Sequence, residues 1–306
     1  MRALRPLALF AVVGLSLVGC RAGDIARNGA RNAFGRGAER GADLVGAVVE
    51  SAVDLRDQMA IQFSPEQEYY LGRGVAAAAI AKYGLDPDEG RQAYVRRIGA
   101  ALVELAPRVR TTWGGYHFAV LASDEANGLS GPGGFVFVTR GAVARARSEE
   151  ELAGILAHEI AHVSLKHGEA VIRASAYWQS GFAAAFRIGA AGAGLPPRDQ
   201  GRLTNLFRET VRGFAGQLAS QGYGPEAEHA ADLEGTYILY DAGYDASGIL
   251  SYLKALPDRP STAWSAHPES ADRVRRLEPV VASYGGSFDG GVGVAARAAR
   301  WARGGR

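Results

Sequence analysis

From Pro65 onward, apolar and polar positions follow a helical spacing. In "SPEQEYYLGRGVAAAAIAKYG" Ser64 stands as an N-cap, Pro65 at the first helical position and Gly84 as a stop, which predicts one helix. A second is expected from about Asp88 to Leu105, ended by Pro107. The period then falls to two. "YHFAVLAS" sets Tyr116, Phe118 and Val120 on one face, and the β-branched and aromatic run "GFVFVT" follows the turn-forming "SGPGG", so both read as strands. Ser148 opens another helix with capping-box spacing to Glu151, and Leu152, Ile155, Leu156 and Val163 supply its apolar packing. Between Ala170 and Gly222 lies Ala- and Gly-rich helical sequence, broken at "GLPPRDQG" because Pro196 and Pro197 cannot continue a helix. Further helices are expected from Pro225 to about Asp241, near Ala246 to Leu256 and near Pro268 to Leu277. There is no internal repeat, and the sum is an α+β, mainly helical fold with a small β-sheet beside the Ser148 helix.

The two ends depart from this patterning. Arg2 and Arg5 precede an apolar run from Leu7 to Val18 that is short for a bilayer span and suits a secretory signal. Leu17, Val18, Gly19 and Cys20 resemble a bacterial lipobox, which implies cleavage of 1–19 and a lipid on the Cys20 thiol. Arg21, where aspartate would retain a lipoprotein at the inner membrane, favours the outer membrane, facing the periplasm. Residues 20–46, rich in Gly, Ala and Arg, read as a tether, 47–283 as the folded domain, and 284–306 as a Gly/Ala/Arg-rich flexible tail, mostly disordered or loosely helical.

Composition adds three exclusions. A chain of 306 residues, 47% hydrophobic and 22% charged, builds one substantial core and is not a disordered polymer. The single cysteine rules out an internal disulfide framework and a cysteine-ligated zinc finger. The formal charge of +2 comes mostly from arginines scattered through the two ends, without a basic stripe flanked by aromatics, which argues against nucleic acid as a partner.

The candidate chemistry lies in "GILAHEIAHVSLKHG". His158 and His162, four apart on a helix, can present two imidazole nitrogens to one ion. Glu159 is turned from that face by about a hundred degrees, where its carboxylate can take the proton of a water attacking a carbonyl. Two imidazoles and a carboxylate suit a catalytic zinc. Histidines bonded to carbonyls in a core are the bland counterpart, and a bare His-Glu-x-x-His also arises by chance, so a third ligand is required. "PEAEHAADLEGTYIL" offers Glu226, Glu228, His229, Asp232 and Glu234. Of these, Glu228 and Asp232 are four apart on one face, which reads either as a glutamate ligand with an acceptor that orients a ligating imidazole or as an ordinary solvated helix face. His229 points off that face, His167 is off-register and is left to helix-end packing or capping, and His117 is a strand residue without an assigned partner.

These segments, together with "YVRRIGAALVEL", "NGLSGPGGFVFVTRGAV" and "AHPESADRVRRL", in this order over roughly Ser64 to Leu277, resemble the gluzincin peptidases of family M48. The resemblance implies a zincin-like zinc endopeptidase with one zinc per chain, 47–283 being its catalytic domain. His158, His162 and Glu228 would be the ligands, Glu159 the general base, and Asp232 the residue that keeps an imidazole in the right tautomer. Asn127, Pro132, Gly133 and Gly134 match the family segment leading into "FVFVT". By that likeness Gly134, Phe135, Val136 and Phe137 form the edge strand beside the cleft, where extended substrate would pair. His267 and Pro268, followed by Arg273, match a late His-Pro segment, and His267 is expected near the metal as a fourth ligand or a transition-state donor. Two departures are Pro225, where many members carry an arginine, and the absence of the membrane spans of some members. The implied role is a lipid-tethered periplasmic protease for unfolded or misassembled envelope proteins. The alternative is a chaperone or assembly factor on the same scaffold, with a capped or structural zinc.

Overall fold

A computed structural model of the chain describes residues 63–174, 208, 211–214, 216, 222–256, 270–284 and 293–302. Cys20, the expected signal and tether, His267 and most of the stretch from Ala174 to Gly222 lie outside them. Among the described residues no helix is long and apolar enough to cross a membrane.

The first helix among the described residues, α1 (Pro65–Tyr83), begins where the sequence demands. Ser64 Oγ accepts from the Gln67 amide at 3.2 Å and the Gln67 side chain accepts from the Ser64 amide at 2.8 Å, a reciprocal capping box. Helix α2 (Glu89–Leu105) is capped by Asp88, whose carboxylate accepts from the Arg91 amide at 3.0 Å.

Three strands follow where two were expected: β1 (His117–Leu121), β2 (Gly128–Gly131) and β3 (Phe135–Thr139). Their order is β1-β3-β2, with β1 parallel and β2 antiparallel to β3. The extra strand comes from the segment read as a turn. Pro132–Gly134 form one 3₁₀ turn in which Gly133 and Gly134 take φ of 72° and 104°, and the chain ahead of it folds back along β3.

This corrects the assignment of the substrate edge. Phe135, Val136 and Phe137 belong to the central strand, buried and hydrogen-bonded on both sides, and Gly134 is in the turn before it. Among the described residues, the edge beside the long central helix that has no further strand is that of β2. Thr139 N–H donates to the Asn127 carbonyl at 2.9 Å. The antiparallel alternation then turns the amides and carbonyls of Leu129 and Gly131 toward β3, and those of Gly128 and Ser130 outward.

A short helix, α3 (Arg140–Arg145), leads to α4 (Glu149–Ser164), which runs through the middle of the core. Ser148 caps α4 by accepting from the Glu151 amide at 3.2 Å, while the Glu151 carboxylate accepts from the Arg147 amide at 2.8 Å, one residue earlier than a reciprocal box requires. Every residue from Glu151 to Val163 is buried, so α4 has no solvent face and packs neighbours all round. Helix α5 (His167–Ala174) follows a break, then α6 (Pro225–Asp241) and α7 (Gly248–Lys254), which both pack on α4, and α8 (Ser270–Ser283), which packs on α6 and α7. At Gly154 a Cβ would lie 2.6 Å from the Ile249 amide nitrogen, so only glycine lets α7 come this close.

The expected flexible tail also needs correction. Within 284–306 the residues Val294–Ala302 form α9, and Trp301 is buried in the main core with its ring 6.1 Å from that of Tyr94. Arg297 reaches Glu150 at 2.5 Å and Arg300 reaches Glu149 at 2.6 Å. Its glycine-rich flank and its arginines suggested solvent, but the counter-charges are the glutamates at the start of α4. The packed domain therefore extends beyond 283. Trp301→Ala is expected to lower the unfolding free energy by about 3 kcal/mol or more. Urea denaturation checks this, and a loss below about 1 kcal/mol would mean that α9 contributes little packing.

Candidate metal centre

Helix α4 sets His158 and His162 one turn apart, with their Nε2 atoms 3.0 Å from each other. Helix α6 brings Glu228 and Asp232 against them. It can approach because Gly235 has no side chain, a Cβ there lying 3.1 Å from the His158 amide nitrogen. One Glu228 oxygen is 3.3 Å from His158 Nε2 and the other 3.6 Å from His162 Nε2. His158, His162 and Glu228 are all buried, and they form the one metal-capable cluster of this kind among the described residues.

The spacing fits zinc. Ligands at 2.0–2.2 Å in a tetrahedron stand about 3.4 Å apart, close to the separations found here. Two imidazole Nε2 atoms and a carboxylate are also the donor types of catalytic zinc sites.

Each imidazole has a partner on its other nitrogen. His158 Nδ1–H donates to Asp232 at 2.9 Å, and Asp232 accepts two further bonds from Arg273 of α8, at 2.8 and 2.6 Å. Burial pushes the Asp232 carboxyl up, but the Arg273 guanidinium and His158 outweigh it and hold it at about 2. Burial opposes the charge on Arg273 as well, and the facing Asp232 and Glu228 keep it protonated. His162 Nδ1 lies 2.7 Å from Nδ1 of His167, whose pKa is lowered by burial. The Tyr223 ring stacks on His162, with centroids 4.0 Å apart at 25°, and its hydroxyl donates to the Ser130 carbonyl at 2.9 Å.

Glu159 is turned toward the sheet. Ser130 Oγ donates to its carboxylate at 2.7 Å, and a Cβ on Gly128 would be 2.3 Å from its other oxygen, so β2 lies directly over this carboxylate.

The sequence-derived candidates thus divide. His158, Glu159, His162, Glu228 and Asp232 meet in one place. Glu226 is exposed and pairs with Arg276, Glu234 pairs with Arg108, and His117 stacks on Phe135 with ring centroids 4.8 Å apart. Three contributors carry no role in the sequence reading, Ser130, Tyr223 and Arg273, and a fourth, His167, is assigned there only to helix-end packing or capping. Arg273 stood in a recognised segment, but only the packing of α8 shows that it supplies the positive charge facing the acidic pair, for which Pro225 carries none.

A family model described as Peptidase family M48 matches residues 89–281. The chain belongs to that family. It is similar to the beta-barrel assembly-enhancing protease of Escherichia coli (strain K12), 26% identical over 206 residues, covering 61% of this chain and 40% of that protein. The Yersinia pestis protein of the same name is 27% identical over 212 residues, covering 67% and 41%. A putative beta-barrel assembly-enhancing protease of Vibrio cholerae is 28% identical over 194 residues, covering 59% and 37%. The chain spans about two-fifths of the length of these relatives. Zinc is the metal of family M48 peptidases, and the His158–His162–Glu228 cluster is the set of residues in this chain that fits it.

In the metal-free protein, burial pulls the His158 pKa down, but hydrogen bonds to Asp232 and Glu228 outweigh it and raise it to about 9. The raised pKa makes protonated His158 stabilising below its ordinary value of 6.5, and that contribution is lost as pH rises through about 9. Zinc must displace this proton. Apparent zinc affinity is therefore expected to rise about tenfold per pH unit between these two values and then to level off. Chelator competition from mildly acid to alkaline pH measures it, and a flat profile would contradict the protonated state of His158.

Proposed function

We propose that the chain is a lipid-anchored endopeptidase of the bacterial periplasm, held at the outer membrane through Cys20, that cuts extended or misassembled envelope proteins. The anchor rests on the lipobox-like run ending at Cys20 and on Arg21. The substrate class rests on the name of the relatives, beta-barrel assembly-enhancing protease. The observation that carries the peptidase geometry is Glu159 beneath β2, hydrogen-bonded to Ser130.

An extended substrate pairs along the open edge of β2, using the outward amides and carbonyls of Gly128 and Ser130. This lays its backbone across Glu159 and the histidines. His158, His162 and Glu228 would hold the zinc, which would supply Lewis acidity to acidify a water near neutral pH and to polarise a carbonyl. Glu159 takes a proton from the attacking water as the new carbon–oxygen bond forms. It then delivers that proton to the amide nitrogen as the carbon–nitrogen bond breaks. Ser130 holds the Glu159 carboxylate in place through both transfers. Asp232, clamped by Arg273, keeps the His158 proton on Nδ1 and its lone pair on Nε2. His267 belongs to the proposal as a group that approaches the metal from the sequence just before α8.

Glu159→Gln should keep stoichiometric zinc and lose about 10²–10⁴-fold in kcat/KM on an unfolded protein such as casein. Cleavage at the wild-type rate by this variant would sink the assignment. Stoichiometric zinc without turnover, in the wild type and in His267→Ala alike, would leave an assembly factor on the same scaffold.

Tyr223 gives a second test. Its hydroxyl occupies the outward carbonyl of Ser130, which an incoming strand needs, so substrate must displace it. Removing the hydroxyl in Tyr223→Phe should lower KM about fivefold at nearly constant kcat. A raised KM would make the hydroxyl a substrate-binding group instead.

A further inference from the structure

On one continuous α-helix, a residue five places after His162 would be rotated about 140° away from it. His167 is not on that helix. The last turn of α4 closes through Leu165 N–H to Ala161 O at 2.9 Å and Lys166 N–H to Val163 O at 3.1 Å. Lys166 then takes φ of 60°, the one non-glycine residue with positive φ among those described. A lysine favours that conformation poorly, and the surroundings hold it there. Its ammonium is fixed between buried Glu68 of α1 at 2.6 Å and buried Glu169 of α5 at 3.3 Å. Gly168 lets the start of α5 settle against Pro132, where a Cβ would stand 3.2 Å from the proline ring. These contacts turn the chain back so that the His167 ring meets the His162 ring, with Nδ1 atoms 2.7 Å apart.

The two nitrogens of His162 are thereby divided. Nε2 faces His158 and Glu228 at 3.0 and 3.6 Å, and Nδ1 faces His167. A ligand nitrogen must offer a lone pair, so the His162 proton resides on Nδ1 and is donated to Nδ1 of His167, whose own proton is then on Nε2. We propose that His167 is a positioning residue of the metal centre, accepting from His162 Nδ1–H and holding that imidazole with Nε2 toward Glu228 and His158. It does for His162 what Asp232 does for His158, but as a neutral acceptor. Because Asp232 is matched by Arg273, the outer partners of both imidazoles together add no net negative charge to the centre. This inference rests on the assignment of zinc to His158, His162 and Glu228.

The test measures zinc dissociation constants by chelator competition on the full chain and on His167→Ala and His167→Asn, with thermal melting of each metal-free protein to report folding. Asparagine can set an acceptor oxygen near the place of the imidazole Nδ1, whereas alanine cannot. The expected result is zinc binding about 10–100-fold weaker in the alanine variant, with most of the loss recovered by asparagine. Equal affinity in the wild type and His167→Ala would overturn the inference, as would an asparagine variant no better than alanine, since packing alone would then explain the loss. A wild-type chain that takes up no zinc would overturn the underlying assignment of the centre.

Discussion

Glu159, Glu228 and Asp232 are buried at one place, and a carboxylate removed from water is costly unless a cation or hydrogen-bond donors meet it. The arrangement of the molecule around α4 follows from how each is met. Asp232 has the forked guanidinium of Arg273, a two-bond geometry that lysine could not supply. Glu159 is met by a hydroxyl donor, Ser130 Oγ. Glu228 joins the two imidazoles in the set of donors that could hold a metal ion. Helix α6 is thus tied to α4 through Asp232 and His158, α8 to α6 through Arg273, and β2 to α4 through the Ser130 hydroxyl. Loss of Arg273 would expose Asp232 to an uncompensated interior rather than merely remove a contact.

A second buried group of charges fixes the far end of α4. Glu68, on α1, meets Lys166 at 2.6 Å and Arg110 at 2.7 Å, and it stays below its usual range because these cations outweigh its burial. Glu169 is pushed up to about 7 by burial and by the neighbouring Glu68, so the two acids do not both carry a full charge at neutral pH. The left-handed Lys166 between α4 and α5 is therefore held by side chains from α1 and α5. The orientation of His167 depends on this support.

What could be read from the sequence was local. Ser64 and Gln67, the helical period after Ser148, the His158–His162 spacing and the Glu228–Asp232 spacing each act within a turn or so of helix, and the structure reproduces them. The missed features depend on remote partners. Gly128–Gly131 has two glycines and little β-propensity, and it is a strand because β3 lies alongside it. Helix α9 has its counter-charges 147 and 151 residues away. The half-formed cap at Ser148 also has a visible cause, since the Glu151 carboxylate is shared with the Arg147 guanidinium at 2.5 Å. The contact between His162 and His167 does not follow from their spacing, because Lys166 takes a left-handed φ between them.

The position of these partners along the chain has a consequence for biosynthesis. His158, Glu159 and His162 leave the ribosome well before Glu228, Asp232 and Arg273, and the arginines of α9 come later still. Domains are made from the N-terminus onward, so a nascent polypeptide carries the His-Glu-x-x-His helix without the groups that complete it. The metal-capable cluster is consequently brought together only after α6 and α8 have been made, however early α4 emerges.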